Sequence, residues 1–199
     1  MEYRASIQRL LEEQSAYGYV YASGVRKYGH LPHIAPEAYS VYTFAPLAEE
    51  QLSLLRERLG MELPEAYAAF LSEVSNGMHL FYHGLSLYGL QGELHRRSGV
   101  LGPFDLDIPN CYERPRNADE DCFFIGSYSY DASRLYMRRD GEQVYYCARR
   151  DATPLRQWDS FSAMLTEEIQ RLRSIHDPRG VLQVEPCMVT QARGQGRSA

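Results

Sequence analysis

The chain has 199 residues, 44% of them hydrophobic and 24% charged, with a formal net charge of −5. That length suits one compact domain with decorated ends, large enough to bury a core without disulfides or metals. The acidic balance speaks against a general affinity for nucleic acid, and no run of 18 apolar residues offers a membrane span.

Residues 2 to 16 carry Tyr3, Ile7, Leu10 and Leu11 at helical spacing, and their first residues lack the apolar segment of a signal peptide. Tyr17 to Tyr21 alternates weakly, as a short strand or an extended arm would. From Ala22 to Pro46, Gly24, Gly29, Pro32, Pro36 and Pro46 interrupt every period, so an irregular segment is expected. Leu47 to Leu59 reads as a helix with Leu52, Leu55 and Leu59 on one stripe. A second helix follows at Pro64-Glu65, with proline at its first position and Tyr67, Phe70, Leu71 and Val74 on one face. Asn76-Gly77 is expected to stop it, and Met78 to Tyr82 and Leu87-Tyr88-Gly89 read as strands.

Residues 91 to 121 contain too many glycines and prolines for a long regular element and end in Asp119-Glu120-Asp121. Three strand candidates come next: Cys122 to Ile125, Arg134 to Met137 and Gln143 to Cys147. Asp140-Gly141 between the last two predicts a tight hairpin with positive φ at both turn residues. Trp158 to Phe161 opens a final helix over roughly Ser160 to Ile175, with Phe161, Leu165, Ile169 and Leu172 as its stripe, stopped by Asp177-Pro178. Val181 to Val189 suits one more strand, and Gln191 to Ala199 has little to bury. Residues 1–46 therefore read as a helix and irregular arm packed on the core, 47–176 as the core domain, and 177–199 as an extension with a frayed tail. Sixteen tyrosines against seven phenylalanines fit half-buried strands.

Little in the chain points to chemistry. His79 and His83 are four apart, but on the expected strand that places them about 13 Å apart, too far to share one ion. His30-x-x-His33 has no matching partner pair, so no metal site and no cofactor are expected. Gly84-Leu85-Ser86-Leu87-Tyr88-Gly89 lacks the spacing of a serine nucleophile turn. The four cysteines, Cys111, Cys122, Cys147 and Cys187, show no Cys-x-x-Cys and read as free thiols in a reducing cytoplasm, Cys122 and Cys147 in the core. Asp105-x-Asp107 places two carboxylates on one side of an extended segment, which suits acid–base work or a solvated loop equally. Arg26-Lys27-Tyr28 with His30 and His33 is too small a patch for direct nucleic-acid binding.

Taken together, Leu63-Pro64, Tyr67, Phe70-Leu71, Asn76-Gly77 and Leu87-Tyr88-Gly89 resemble the SUKH superfamily, which includes bacterial toxin-immunity proteins and the yeast cell-wall assembly regulators. Downstream, Ile125-Gly126, Asp131 through Met137, Gly141 with Val144-Tyr145, and Trp158, Ser160, Phe161 and Leu165 continue the pattern in order. The resemblance spans roughly residues 47 to 173. It departs from the pattern at Gly126 to Asp131, which is aromatic where the family is rich in Gly and Asp. It implies an α+β fold, a mostly antiparallel sheet flanked by helices. It also implies a cytoplasmic, non-enzymatic protein-binding domain, foremost an immunity protein that neutralises a cognate bacterial toxin; the alternative is a regulatory adaptor. Asp119, Glu120, Asp121, Tyr128, Tyr130 and Asp131, in loops before and after one strand, are the expected partner-binding residues. An acidic, tyrosine-bearing surface of that kind suits a basic toxin domain such as a nuclease, with oligomeric state left open.

Overall fold

The computed structural model describes residues 2–82, 84–92, 101–177 and 179–184. Within them, β1 (Tyr19–Ala22), β2 (Val25–His30), β3 (Tyr39–Phe44), β4 (Met78–Leu80), β5 (Leu85–Leu87), β6 (Cys122–Tyr128), β7 (Arg134–Arg138), β8 (Val144–Ala148) and β9 (Asp151–Trp158) form one sheet. Their spatial order is their chain order and every neighbouring pair is antiparallel. Four α-helices, α1 (Glu2–Ser15), α2 (Glu49–Leu59), α3 (Glu65–Glu73) and α4 (Phe161–Ile175), complete an α+β fold.

All four helices bury their apolar stripes in one core against one face of the sheet. Tyr3, Ile7 and Leu10 of α1 meet Phe161, Leu165 and Leu172 of α4, and Tyr67, Phe70 and Leu71 of α3 pack with Phe123, Ile125, Leu135 and Met137. The alternation of strand side chains sends Cys122, Phe124, Tyr136 and Cys147 to the opposite face, where they form a second, smaller cluster. In β6 the alternation slips: Ile125 and Tyr128 both face the helices, because the register shifts at a bulge between Phe124 and Gly126.

The residues of the α3 signature act on the backbone. Tyr67 is fully buried, and its hydroxyl lies 2.6 Å from the Tyr88 carbonyl and 2.9 Å from the Ile125 carbonyl. One phenol proton is thus shared between two carbonyls, fastening α3 to the start of the loop after β5 and to β6. The Asn76 side chain mimics a strand: Nδ2 donates to the Leu90 carbonyl at 2.9 Å and Oδ1 accepts from the Leu90 N–H at 2.7 Å. A Cβ on Gly89 would lie 2.4 Å from Asn76 Oδ1, so only glycine lets the chain pass this close.

Several expectations from sequence are corrected. Residues 22 to 46 are not irregular, since β2 and β3 lie there. Every residue of β3 is buried, so no polar–apolar alternation marks it, and Ser23-Gly24, with φ of 53° and 81°, makes the two-residue hairpin turn between β1 and β2. Asp140-Gly141 does sit between two paired strands, but Gly141 lacks positive φ, and residues 139–143 form a longer loop. Strand β4 stops at Leu80, because Phe81 and Tyr82 take left-handed conformations with φ of 51° and 52°. Pro64 precedes the first turn of α3, and the helix ends at Glu73, before Asn76-Gly77. Strand β9 was not foreseen: it is an edge strand containing Pro154, mostly exposed, and bears no apolar period. Among the described residues from Val181 to Val184, Leu182 bridges to His176, and the remainder of the expected strand, Glu185 to Val189, lies outside the described residues.

Candidate functional site: a cleft on the helix-free face

The long connection between β5 and β6 crosses the sheet face that the helices leave open. Among its described residues it carries a single π-helical turn, Ile108–Tyr112. Three anchors hold it. Gly89 pairs with the segment at Asp105, its N–H donating to the Phe104 carbonyl at 2.8 Å while its carbonyl accepts from the Leu106 N–H at 3.0 Å. Asn110 completes the edge of β6 beyond the end of β5, accepting from the Phe124 N–H at 2.8 Å and donating to the Phe124 carbonyl at 2.9 Å. Arg58, at the end of α2, donates to the Gln91 carbonyl at 3.2 Å and pairs with both Asp105, at 3.4 Å, and Asp107. The Asp105-x-Asp107 pair is therefore neither a solvated loop nor an open acid–base pair, because both carboxylates are buried against one guanidinium.

These anchors open a cleft of about 950 Å³ between the segment and the ends of β6 and β7. Its outer wall is apolar: Leu101, Phe104 and Ile108 are each more than a third exposed, and Tyr112, at 76%, is the most exposed large hydrophobic side chain described. Phe104 rests on the His79 ring, with centroids 4.7 Å apart. The floor holds Tyr88 and Ser127; burial pushes the Tyr88 phenol up, so it stays neutral at physiological pH.

At one end the cleft runs into a second concavity of about 550 Å³, lined by Glu113, Arg114, Pro115, Arg116, Arg134, Arg149 and Arg150. Arg134 is nearly enclosed, with Nη1 donating to the Glu113 carbonyl at 2.5 Å and Nη2 to Glu113 Oε2 at 3.2 Å. Arg149 approaches the same carboxylate at 3.7 Å. Arg114 donates to the carbonyls of Asp119, Cys122 and Asn110 and, like Arg134, lies over the Phe124 ring at 5.7 Å. Among the described residues, Arg116 and Arg150 make no ion pair.

The residues singled out from sequence are placed differently. Asp119 and Asp121, at the start of β6, pair with Arg138 and Arg139 of β7 and the loop after it, while Glu120 between them is exposed. Tyr128, Tyr130 and Asp131 lie at the other end of β6, about 20 Å away by strand rise. Tyr128 is buried on the helix side, donating to Glu168 Oε2 at 2.9 Å, and the Tyr130 hydroxyl accepts from Arg171 at 3.3 Å. Asp131 caps its own loop through Ser133 and accepts from the Tyr146 hydroxyl at 3.0 Å. So Asp119, Glu120 and Asp121 are brought together at one end, and Tyr128, Tyr130 and Asp131 at the other. His79 is buried with Nδ1 3.0 Å from Ser86 Oγ, and His83 lies outside the described residues. Cys122 and Cys147 are buried and free, and burial raises their thiols to about 11 and about 12; Cys187 lies outside the described residues. Asp105 and Tyr128, singled out from sequence, do line the cleft. Phe104, Tyr112 and Arg116 went unnoticed because they lie along one glycine- and proline-rich connection with no period, and Arg150 because it sits in the turn between β8 and β9. Arg114-Pro-Arg116 and Arg149-Arg150 are the linear signals that mark them.

Among the described residues, no helix is long and apolar enough to cross a membrane. No curated protein matches the chain. The model of the SMI1/KNR4 family (SUKH-1) matches residues 46–167, from the approach to α2 through the cleft to the first turns of α4. Since that match covers well over half of its length, the chain belongs to the SMI1/KNR4 family (SUKH-1).

Proposed function

We propose that this protein acts in the cytoplasm by binding another protein, not by catalysis, as an immunity protein that neutralises a cognate toxin by covering part of its surface. SUKH families include toxin-immunity proteins and cell-wall regulators, so membership supports a binding role. The observation that carries the reading is the cleft. It presents exposed aromatic and aliphatic side chains beside arginines on a loop fastened at Gly89, Asn110 and Arg58. Aromatic and arginine side chains on a preorganised frame are the usual sources of interface energy. Its volume would seat a few side chains of a partner.

The test is capture of the tagged full chain from its own cells, with the Tyr112→Ala chain in parallel, followed by co-expression of the captured toxin in a growth assay. The expected result is one dominant toxin-domain protein that survives high-salt washing, is depleted by Tyr112→Ala, and kills cells only when its binder is absent. Several weak, salt-sensitive partners that do not affect growth would instead make the protein a regulatory adaptor.

A further inference from the structure

We infer that the cleft and its arginine end take an acidic protein segment, one that sets carboxylates among Arg116, Arg149 and Arg150 and an aromatic or aliphatic side chain against Tyr112 and Phe104. This deepens the binding role proposed above and rests on it. Among the described residues, five arginines line the polar concavity and Glu113 is the one carboxylate that lines it with them. That carboxylate is already shared by Arg134 and Arg149. The nearby Asp151 accepts from the Thr153 N–H in its own turn and from the Asn117 side chain of the β5–β6 connection. Even with Asp151 counted, guanidinium groups outnumber carboxylates here among the described residues, in a chain whose net charge is −5.

Guanidinium groups pair with carboxylates through two parallel hydrogen bonds and are only weakly hydrated, so an incoming acidic segment gains more from them than from lysines. The arginine end opens directly into the apolar cleft through shared lining residues Glu113, Arg134 and Arg149. One segment can thus place charge in one part and a ring in the other. A nucleic-acid strand fits less well. Its regularly spaced phosphates would run beyond this compact cluster towards the Asp119-Glu120-Asp121 run, whereas a short acidic segment need not. The partner surface is then acidic, opposite in sign to the basic toxin surface that the Asp119-Glu120-Asp121 run suggests from sequence.

The probe is a glutamate–tyrosine copolymer titrated into the full chain, with a lysine–tyrosine copolymer and a single-stranded oligothymidylate in parallel. The acidic copolymer should bind, and more weakly as salt rises. The exposed double reversal Arg149→Glu with Arg150→Glu should lower its affinity about tenfold or more. Tyr112→Ala should lower it by a similar factor but leave the salt dependence unchanged. Asp119→Lys with Glu120→Lys should not weaken it. Unaltered thermal unfolding of each variant confirms that the fold is intact. Absence of acidic-copolymer binding, equal binding by the double reversal, or tighter binding of oligothymidylate would each overturn the inference. Capture of a toxin that ignores Arg149→Glu with Arg150→Glu would overturn it while leaving the immunity reading standing. Groove-dependent binding of the copolymer without any captured toxin would sustain the inference and defeat the immunity reading.

Discussion

The two faces of this sheet are built on different principles. The helix-covered face is an apolar core in which polar groups either replace backbone hydrogen bonds, as the Tyr67 hydroxyl does on two carbonyls and Asn76 on both groups of Leu90, or close on one another, as Glu168 does with Tyr128 and Arg171. The cleft face is polar and partly open. Arginines there meet carbonyl oxygens and shared carboxylates, and large hydrophobic side chains remain in water. The motif that identifies the family lies almost wholly on the first face. A family signature of this kind describes how the frame closes, and what the frame presents is decided on the other face.

The largest effect that separates the faces is expected in the core. Phe70 is completely buried between Tyr67 and Phe161, with ring centroids at 5.7 and 5.4 Å. Phe70→Ala should cost about 4 kcal/mol through lost burial and the cavity left behind, much of the total stability of a domain this size. Urea unfolding measures the loss. Partner affinity of the molecules that remain folded should not change, because Phe70 has no surface on the cleft. A change in affinity that exceeds the change in folded fraction would mean that the two faces are not separable.

Arg58 is where they are joined. It projects from a core helix to Asp105 and Asp107, whose side chains are 3% and 10% exposed, while its own is 26% exposed. Arg58→Ala leaves two buried carboxylates without this partner, and breaking such a pair is costly. With allowance for the partial exposure, about 3 kcal/mol is expected. Unlike Phe70→Ala, this variant should also raise amide exchange across residues 101–113 and weaken partner binding beyond the loss of folded protein. Arg58→Lys should recover only part of either effect, since an ammonium cannot fork between two carboxylates. If exchange in 101–113 stays at its original rate, Gly89 and Asn110 suffice to hold the cleft.

Legibility in the sequence follows the same division. The helices announced themselves because each buries one stripe: Leu52, Leu55 and Leu59 in α2, or Phe161, Leu165, Ile169 and Leu172 in α4. Strands β6, β7 and β8 were legible from their aromatic and β-branched runs. Strand β3, buried on both sides, and edge strand β9, buried only at Ala152 and Trp158, lack the alternation that marks a strand with one wet face. The cleft was not legible, since its arginines come from positions 114–116, 134 and 149–150 and meet only because β6, β7 and β8 are neighbours. Asp119-Glu120-Asp121 looked like a free acidic run because the arginines that meet two of its members, Arg138 and Arg139, lie one hairpin away.

That run gives the smallest expected effect and the one that bears most directly on partner sign. The hydrogen bond from Arg138 holds the Asp119 carboxyl below its ordinary value. A carboxylate whose pKa is lower in the folded than in the unfolded state adds stability that is present above the unfolded value, about 3.9. That contribution is lost as pH falls through the folded value. Asp119 is 57% exposed and Arg138 38%, so solvent screens the pair. Asp119→Asn should therefore cost only a few tenths of a kcal/mol at pH 7, and the gap from wild type should close in acid unfolding below about pH 3.9. At neutral pH a carboxylate already satisfied by Arg138 has little left to offer a partner, so partner affinity should move no more than stability does. A selective loss of affinity in Asp119→Asn, with unfolding unchanged, would mean that the partner displaces Arg138 and is itself basic, and the arginine end of the cleft would then not be the contact that sets partner charge.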